Sequence, residues 1–382
     1  MTVVGVLGGG QLGRMLAQAG DKLDLEIRCY DASPHACAGQ IAPLTVGAFD
    51  DVVAIRAFAE ACDAVTYEFE NVPVGSVKAL EEAGVVVRPS SRSLEAAQDR
   101  LLERRLFDTL DVPTPVWYPV DDLASLTGSM DKARAFVLKS RFGGYDGKGQ
   151  AIVRDAAHAE AAWAEIGQRP AIADALVPFR AEVSCIGVRD ADGRHATWAI
   201  GSNQHSDGIL RESIVPTSLP GDQAEAAGAA WGRVADRLDH VGVLAIEFFV
   251  LDDGAILANE FAPRVHNTGH WTIEGASTSQ FENHLRAVAG LPLGDTGFAP
   301  GVGAAAMVNL IGGVPPVVRG GGGSGGSEAA VHDYGKSPRP GRKVGHATVV
   351  GPTMEAVHRV LGPARELATR ATEAGLAQEV GG

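Results

Sequence analysis

Phe136-Val137-Leu138-Lys139-Ser140-Arg141-Phe142-Gly143-Gly144-Tyr145-Asp146-Gly147-Lys148-Gly149-Gln150 is the stretch on which the fold reading turns. A short apolar run of strand composition ends in a lysine, and four glycines with two further cations follow within eleven residues. Glycines lack a Cβ, so backbone N–H groups can approach phosphate oxygens closely while Lys139 neutralises their charge from the strand end. A plain surface hairpin has no use for a lysine there. The spacing predicts a phosphate-binding loop rather than a solvated turn.

Downstream, Glu247 stands inside the apolar run Val243-Leu244-Ala245-Ile246-Glu247-Phe248-Phe249-Val250, and Glu260 ends the next one, Ile256-Leu257-Ala258-Asn259-Glu260. Asp252-Asp253-Gly254 between them is a hairpin signal, which brings the two carboxylates face to face. A carboxylate in such a run is expensive to bury without a cation, and two of them plus Asn259 are oxygen donors of the kind Mg²⁺ takes. The alternative is a strand-edge Glu paired with Arg or Lys. The dense polar segment Arg264-Val265-His266-Asn267-Thr268-Gly269-His270-Trp271 that follows favours a site.

Working towards the N-terminus, the first hundred residues alternate short β-branched runs with amphipathic stretches, the pattern of a parallel sheet with crossover helices. Strands are expected at Thr2–Leu7, Leu25–Tyr30, Ala64–Tyr67 and Val85–Val87, with helices at Gln11–Ala19, Asp51–Ala61 and Val74–Glu82. Gly8-Gly9-Gly10-Gln11-Leu12-Gly13 fits G-x-G-x-x-G at the first strand-to-helix turn, with Asp31 about twenty residues on, which is the dinucleotide fingerprint. The same residues also describe a general anion site at a helix N-terminus. Apolar spacing from Leu94 to Leu110 predicts one bridging helix, ended by Pro113 and Pro115. Beyond it the pattern gives a smaller α+β unit, a long helix around Asp222–Leu238, and a last segment with strands near Ala305–Leu310 and Val344–Val350 and a closing helix.

The 382 residues exceed a single typical domain, and a net charge of −14 opposes wrapping a polyanion, so neither nucleic acid nor an anionic membrane is an expected partner. Glycine is in excess, 48 residues or about 13%, against the usual ~7%. Cys29, Cys37, Cys62 and Cys185 are too scattered for a disulfide frame or a zinc site and read as reduced residues. No basic segment precedes an apolar core at the start, and no apolar run reaches the ~18 residues of a membrane span, so a cytoplasmic protein is expected.

The glycine loop after a strand lysine, the strand Glu and the run Asn259-Glu260-Phe261-Ala262-Pro263-Arg264-Val265-His266-Asn267-Thr268-Gly269-His270-Trp271-Thr272 together resemble the 5-(carboxyamino)imidazole ribonucleotide synthases, ATP-grasp enzymes of purine biosynthesis. Gly8–Gln18, Tyr67-Glu68-Phe69-Glu70-Asn71-Val72, Gln98-Asp99-Arg100, His205–Leu210, Ser279-Gln280-Phe281-Glu282 and Tyr334–His346 carry the resemblance over most of the chain. It implies an α/β ATP-grasp fold: a Rossmann-like pre-ATP-grasp domain over residues 1–100, an ATP-grasp domain over 101–293 with a small lid subdomain at about 114–178, and a C-terminal α+β domain over 294–382. It also implies carboxylation of 5-aminoimidazole ribonucleotide (AIR) with bicarbonate and ATP, through carboxyphosphate.

Carried over by residue, Arg100 and Lys139 would contact ATP phosphates under a lid loop of Gly144, Tyr145, Asp146, Gly147, Lys148, Gly149 and Gln150. Asp174, Ala175, Leu176 and Val177 would form the adenine hinge, Glu182 would take the ribose, and His205 would lie near the nucleotide. Glu247 and Glu260, beside Asn259, would hold Mg²⁺, with Mn²⁺ as an alternative. Gly10, Gln11 and Leu12 would face the AIR ribose phosphate with Glu68 nearby, and Lys336, Arg342 and Lys343 would take its phosphate. Tyr145, Asp146, Lys148, Arg264, His266 and Asn267 would surround carboxyphosphate and the amine. A homodimer and a handoff to the mutase that rearranges the product belong to the same expectation.

Three places depart from the pattern. Asp174 is one methylene shorter than the usual hinge Glu, Phe142 replaces a polar residue in the loop, and the tract Gly320–Ser327 reads as a flexible linker. Without the resemblance Glu68 is an ordinary strand-end residue, Lys336–Lys343 a solvated basic turn and Trp271 a packing residue. An oxidoreductase suggested by Gly8–Gly13 leaves Lys139–Gln150 and the Glu247/Glu260 pair unexplained, and a non-catalytic nucleotide-binding regulator would not need all of Lys139, Glu247, Glu260, Arg264 and His266.

Overall fold

Four parallel strands open the chain, in the order Leu44–Val46, Glu26–Asp31, Val3–Leu7, Ala64–Tyr67. Parallel strands need crossovers, which the short 3-10 turn Cys37–Gln40 and helices Gln11–Asp21 and Val52–Ala59 supply, with helix Val74–Glu82 following the last strand. The apolar sides of the last two close on Leu7, Tyr30, Ile55, Tyr67 and Leu80. The computed structural model describes residues 1–144, 148–314 and 329–379; Tyr145, Asp146 and Gly147 of the loop, and the Gly/Ser tract 320–327, lie outside the described residues.

Two expectations for this region are corrected. Val85–Val87 is no strand but a single bridge from Val87 to Val65. The bridging helix is two helices, Ser91–Gln98 and Arg100–Thr109, broken at Asp99. Asp99 is extended (φ −111°, ψ 107°), and its side chain accepts the Leu101 N–H at 3.0 Å as an N-cap. Apolar periodicity runs straight through a one-residue break, which hides it from the spacing. The same carboxylate also receives Arg141, tying the helix start to the glycine loop.

A small antiparallel sheet follows, in the order Trp117–Val120, Ala171–Ala175, Phe136–Ser140, Gln150–Val153. The first two strands escaped sequence reading, because Pro119 marks an edge strand and Ala-Ile-Ala-Asp-Ala has weak β propensity. The largest sheet among the described residues has nine strands. It runs from Ile256–Ala262 through Gly242–Val250, Ala181–Arg189, Gly201–Ser206, Ile209–Val215, Ala304–Ile311 and Lys343–Gly351 to Ala329–Asp333, with His195–Thr197 beside Ala181–Arg189. Within this sheet Gly201–Ser206 and Ile209–Val215 form an antiparallel hairpin. Strand Ile209–Val215 pairs with Ala304–Ile311, so the C-terminal segment extends the central sheet rather than forming one of its own.

Cys29, Cys37 and Cys185 are buried, Cys62 is half-buried, and all four are free. Among the described residues no helix is long and apolar enough to cross a membrane.

Helix Gly221–Arg237 packs on the central sheet through Trp231, which is fully buried and donates its indole N–H to the Leu244 carbonyl at 2.8 Å. The ring fits because Gly187 beneath it has no side chain: a Cβ there would lie 2.6 Å from two ring carbons and 3.0 Å from the Ala196 carbonyl. We predict that Gly187→Ala destabilises the protein by ~1–3 kcal/mol through overpacking. Urea unfolding checks this, and an unchanged midpoint would show that the contact yields freely.

Candidate active site

The glycine turn at the N-terminus is an anion site already filled by the chain. Gly9 donates its N–H to Asp31 Oδ2 at 2.8 Å, while Gly10 and Gly13 donate to the two oxygens of Glu68 at 2.7 and 2.9 Å. Glu68 ends up where a helix N-terminus would otherwise take a phosphate. Burial pushes its carboxyl up, and the Gly13 and Gly10 amides with Lys336 offset part of that rise. With the Gly9, Gly10 and Gly13 amides taken by two carboxylates, a dinucleotide pyrophosphate would meet like charge here, and the oxidoreductase reading loses its anchor. Gln11 and Leu12 instead face a cavity of about 640 Å³, where Gln11 Oε1 receives the Lys336 ammonium.

Three strands of the central sheet bring carboxylates together. Glu247 lies directly across from Glu260 in the hairpin, and the register of Gly242–Val250 with Ala181–Arg189 puts Glu182 on the same face. Burial, then Glu182 and Glu260, drive the Glu247 carboxyl well above the usual range, and burial with Glu260 lifts Glu182 to about 7. One donor atom each from Glu182, His205 and Glu247 lies within 4.8 Å of the others. Arg100 Nη2 reaches Glu260 at 3.6 Å. Hard oxygen donors crowded in this way fit a small divalent cation such as Mg²⁺ or Mn²⁺.

Lys139 arrives from the small sheet. Its ammonium lies 3.0 Å from Asn259 Oδ1 and 2.9 Å from Asp174 Oδ2. Arg100 binds the glycine loop through the carbonyls of Ser140 (3.1 Å) and Gly144 (3.4 Å). Gly149, at φ +70°, closes that loop by accepting the Ser140 N–H at 2.8 Å.

Asp174 points inward, away from the role expected at the hinge. Its carboxylate is taken by Arg104 and Lys139, which outweigh burial and hold it far below the usual carboxylate range. The Ala175 and Leu176 N–H groups are spent on the carbonyls of Val116 and Ala135. Asp174 and Ala175–Val177 nonetheless border a second cavity of about 310 Å³, with Val137, Leu210 and the stacked pair Phe179–Phe249 (centroids 4.6 Å apart) as its apolar walls. This narrow slot suits a planar base.

The polar segment after Glu260 joins the two cavities. Arg264 is paired with Glu70, and the His266 main chain is clamped by Gln280, whose amide accepts from the His266 N–H (2.8 Å) and donates to its carbonyl (2.7 Å). His266 Nδ1 meets Thr268 Oγ1 at 2.8 Å, and Nε2 lies 3.8 Å from Glu247 Oε1. Burial first, then Arg264, holds this imidazole neutral at ordinary pH. Among the described residues Asn267 Nδ2 is buried without a hydrogen-bond partner, a donor suited to a ligand oxygen. Arg100, Lys148, Glu247, Glu260, His266, Asn267 and Lys343 line both cavities, and Arg342 lines the larger.

The structure thus gathers the sequence-selected residues at one place, except Tyr145, Asp146 and Gly147, which are not described. Sequence reading missed Glu70, Glu103, Arg104, Gln280 and Arg339 as site residues. Glu70 shares the strand-end alternation of Glu68, and Arg104 follows Arg100 by one helical turn, so both lay within reach of periodicity.

Three domain families match in sequence: a ribonucleotide synthetase preATP-grasp domain over residues 1–98, an ATP-grasp domain over 105–281, and a phosphoribosylaminoimidazole carboxylase C-terminal domain over 305–360. The N5-carboxyaminoimidazole ribonucleotide synthase of Pseudomonas aeruginosa is 47% identical over 351 residues, 91% of this chain and 94% of that protein. The crystal structure of N5-carboxyaminoimidazole ribonucleotide synthetase from Thermus thermophilus superposes with a TM-score of 0.88 at 46% identity, covering 96% of this chain and 98% of that one. The N5-carboxyaminoimidazole synthase of Aspergillus clavatus, crystallised with ADP and 5-aminoimidazole ribonucleotide, gives a TM-score of 0.87 at 27% identity over 97% of this chain and 99% of that one. With a preATP-grasp, an ATP-grasp and a matching C-terminal domain in succession, and such identity along nearly its whole length, the chain belongs to the N5-carboxyaminoimidazole ribonucleotide synthase family.

Proposed function

We infer that the protein joins bicarbonate to the amine of 5-aminoimidazole ribonucleotide at the expense of ATP, releasing N5-carboxyaminoimidazole ribonucleotide, ADP and phosphate in purine nucleotide synthesis. The observation that carries this reading is the meeting of two cavities along one polar wall: an apolar slot on one side, and on the other a chamber reached by Lys336, Arg339, Arg342 and Lys343. A base-bearing nucleotide and a second phosphorylated substrate would then approach a common point.

ATP would lie in the smaller cavity, its base between the Phe179–Phe249 pair and the Ala175–Val177 edge, with Val177 taking over the donor role that Ala175 and Leu176 have spent. Glu182 and His205 would border its ribose. Lys139 and Arg100 would neutralise its phosphates, and Gly144–Gln150 would cover them and exclude water. Glu247 and Glu260, with Asn259 alongside, would hold Mg²⁺ or Mn²⁺, which when bound would neutralise charge on the phosphate oxygens.

A bicarbonate oxygen attacks the γ-phosphorus, ADP departs and carboxyphosphate forms. Phosphoryl transfer is chiefly positioning and charge neutralisation, which Arg264, Lys148, Tyr145, Asp146 and the unpaired amide donor of Asn267 would supply. The AIR amine then bonds to the carboxyl carbon, and the departing phosphate takes the proton that the amine loses, with the neutral His266 beside them. The ribose phosphate of AIR would sit between Gly10–Leu12 and the cations Lys336, Arg342 and Lys343, with Glu68 holding the turn in shape. Operation as a cytoplasmic homodimer that hands its product to a mutase belongs to the same proposal.

Phosphate release from ATP, measured with and without AIR and bicarbonate, tests the reading; turnover that AIR does not stimulate would sink it. Glu260→Gln is expected to cut kcat by at least ~10²-fold with the fold intact, since an amide replaces a charged metal ligand. Rates like those of the unmodified protein would remove Glu260 from the metal site. Lys336→Ala should raise the KM for AIR by ~10-fold or more while that for ATP moves less than about twofold. Equal changes would take Lys336 out of the AIR site.

A further inference from the structure

Under the nucleotide slot lies a buried cation that the reaction above does not use. Arg104 has no solvent exposure and sits one turn beyond Arg100 on helix Arg100–Thr109, on the same face. Its Nε and Nη2 clamp both oxygens of Asp174, at 3.0 and 2.7 Å. Its Nη1 meets Glu103 Oε2 at 3.3 Å, and Glu103 Oε1 accepts the Phe261 N–H at 2.7 Å, next to Glu260 in the strand. Asp174 Oδ2 takes a third donor, the Lys139 ammonium at 2.9 Å. In the small sheet Asp174 pairs with Val137 and Lys139 with Ile172, so Lys139 and Asp174 are diagonal neighbours on one face.

Two cations therefore meet on Asp174, and Arg104 carries Glu103 as well, so the buried cluster holds two cations and two carboxylates. A buried carboxylate held by Lys139 alone would be free to shift and draw the ammonium away from the point where a polyphosphate must be met. A guanidinium fork satisfies both oxygens at once, as a point-charge ammonium cannot. Asp174, held by the fork, then offers Lys139 a fixed acceptor. We propose that Arg104 is a positioning residue for nucleotide binding: clamped on Asp174, it sets the place of the Lys139 ammonium. The inference rests on the assignment of Lys139 to the nucleotide phosphates.

Arg104→Lys shortens the cation and removes the fork, while Asp174→Glu adds a methylene from the other side. In the full chain, ADP affinity by titration calorimetry and the KM values for ATP and AIR are measured for R104K and for R104K/D174E. We expect R104K to weaken ADP and to raise the ATP KM by ~10-fold with the AIR KM within about twofold, and the double variant to recover ADP affinity to within about threefold. Unchanged ADP affinity in R104K, a parallel rise in the AIR KM, or a folded double variant no better than the single one would overturn the proposal. Should R104K not fold, the double variant decides alone, by binding ADP nearly as the unmodified protein does or by failing to. ADP titration needs no turnover, so an absence of AIR-stimulated activity would refute the reaction while leaving this test intact.

Discussion

Three carboxylates on one face of a mostly buried sheet, Glu182, Glu247 and Glu260, are the constraint that the surrounding structure answers. Burial and mutual repulsion push the Glu182 and Glu247 carboxyls upward, and such a wall persists only because cations converge on it. They come from separate elements: Arg100 from the broken helix, Lys139 from the small sheet, Arg264 from the segment after the hairpin. Each brings a carboxylate or carbonyl partner that fixes its aim: Ser140 and Gly144 for Arg100, Asp174 for Lys139, Glu70 for Arg264. The site is a lattice of alternating charges.

The same requirement reconciles the chain's acidic balance with the cations gathered at the site. A net charge of −14 opposes the approach of polyanions, while Lys336, Arg339, Arg342 and Lys343 gather on the wall of one cavity. The cluster rides on the turn between Ala329–Asp333 and Lys343–Gly351, and Tyr334, buried with its hydroxyl 2.8 Å from His346 Nδ1, roots that turn in the core. Because the C-terminal strands continue the central sheet, a binding element far along the sequence is rigidly registered against Glu247 and Glu260.

Much of this was legible in the chain itself. The paired Glu residues, the strand lysine and the hairpin at Asp252-Asp253-Gly254 follow from local pattern, because a charge inside an apolar run is visible without coordinates. What stayed hidden depends on neighbours remote in sequence. The helix break at Asp99 is invisible to apolar spacing, Ala171–Ala175 is a strand through pairing rather than propensity, and Arg104 looks like one more surface arginine until Asp174 is folded beneath it. The hinge role of Asp174 illustrates the limit best: the position lies at the slot, as motif order implies, but its side chain belongs to the charge lattice below.

The N-terminal turn carries the same lesson into chemistry. G-x-G-x-x-G specifies a backbone shape, a tight strand-to-helix turn with its N–H groups pointing into one hollow, and that shape forms here. What occupies the hollow is set elsewhere. Glu68 comes from the end of strand Ala64–Tyr67, more than fifty residues away, and takes the Gly10 and Gly13 amides that a pyrophosphate would need. A Cβ at Gly10 would stand 2.5 Å from Glu68 Oε1, so the glycine that elsewhere admits a dinucleotide here admits a carboxylate. With its anion built in, the turn becomes a floor on which Gln11 and Lys336 meet. One acidic side chain therefore closes the hollow of this turn with no change in fold.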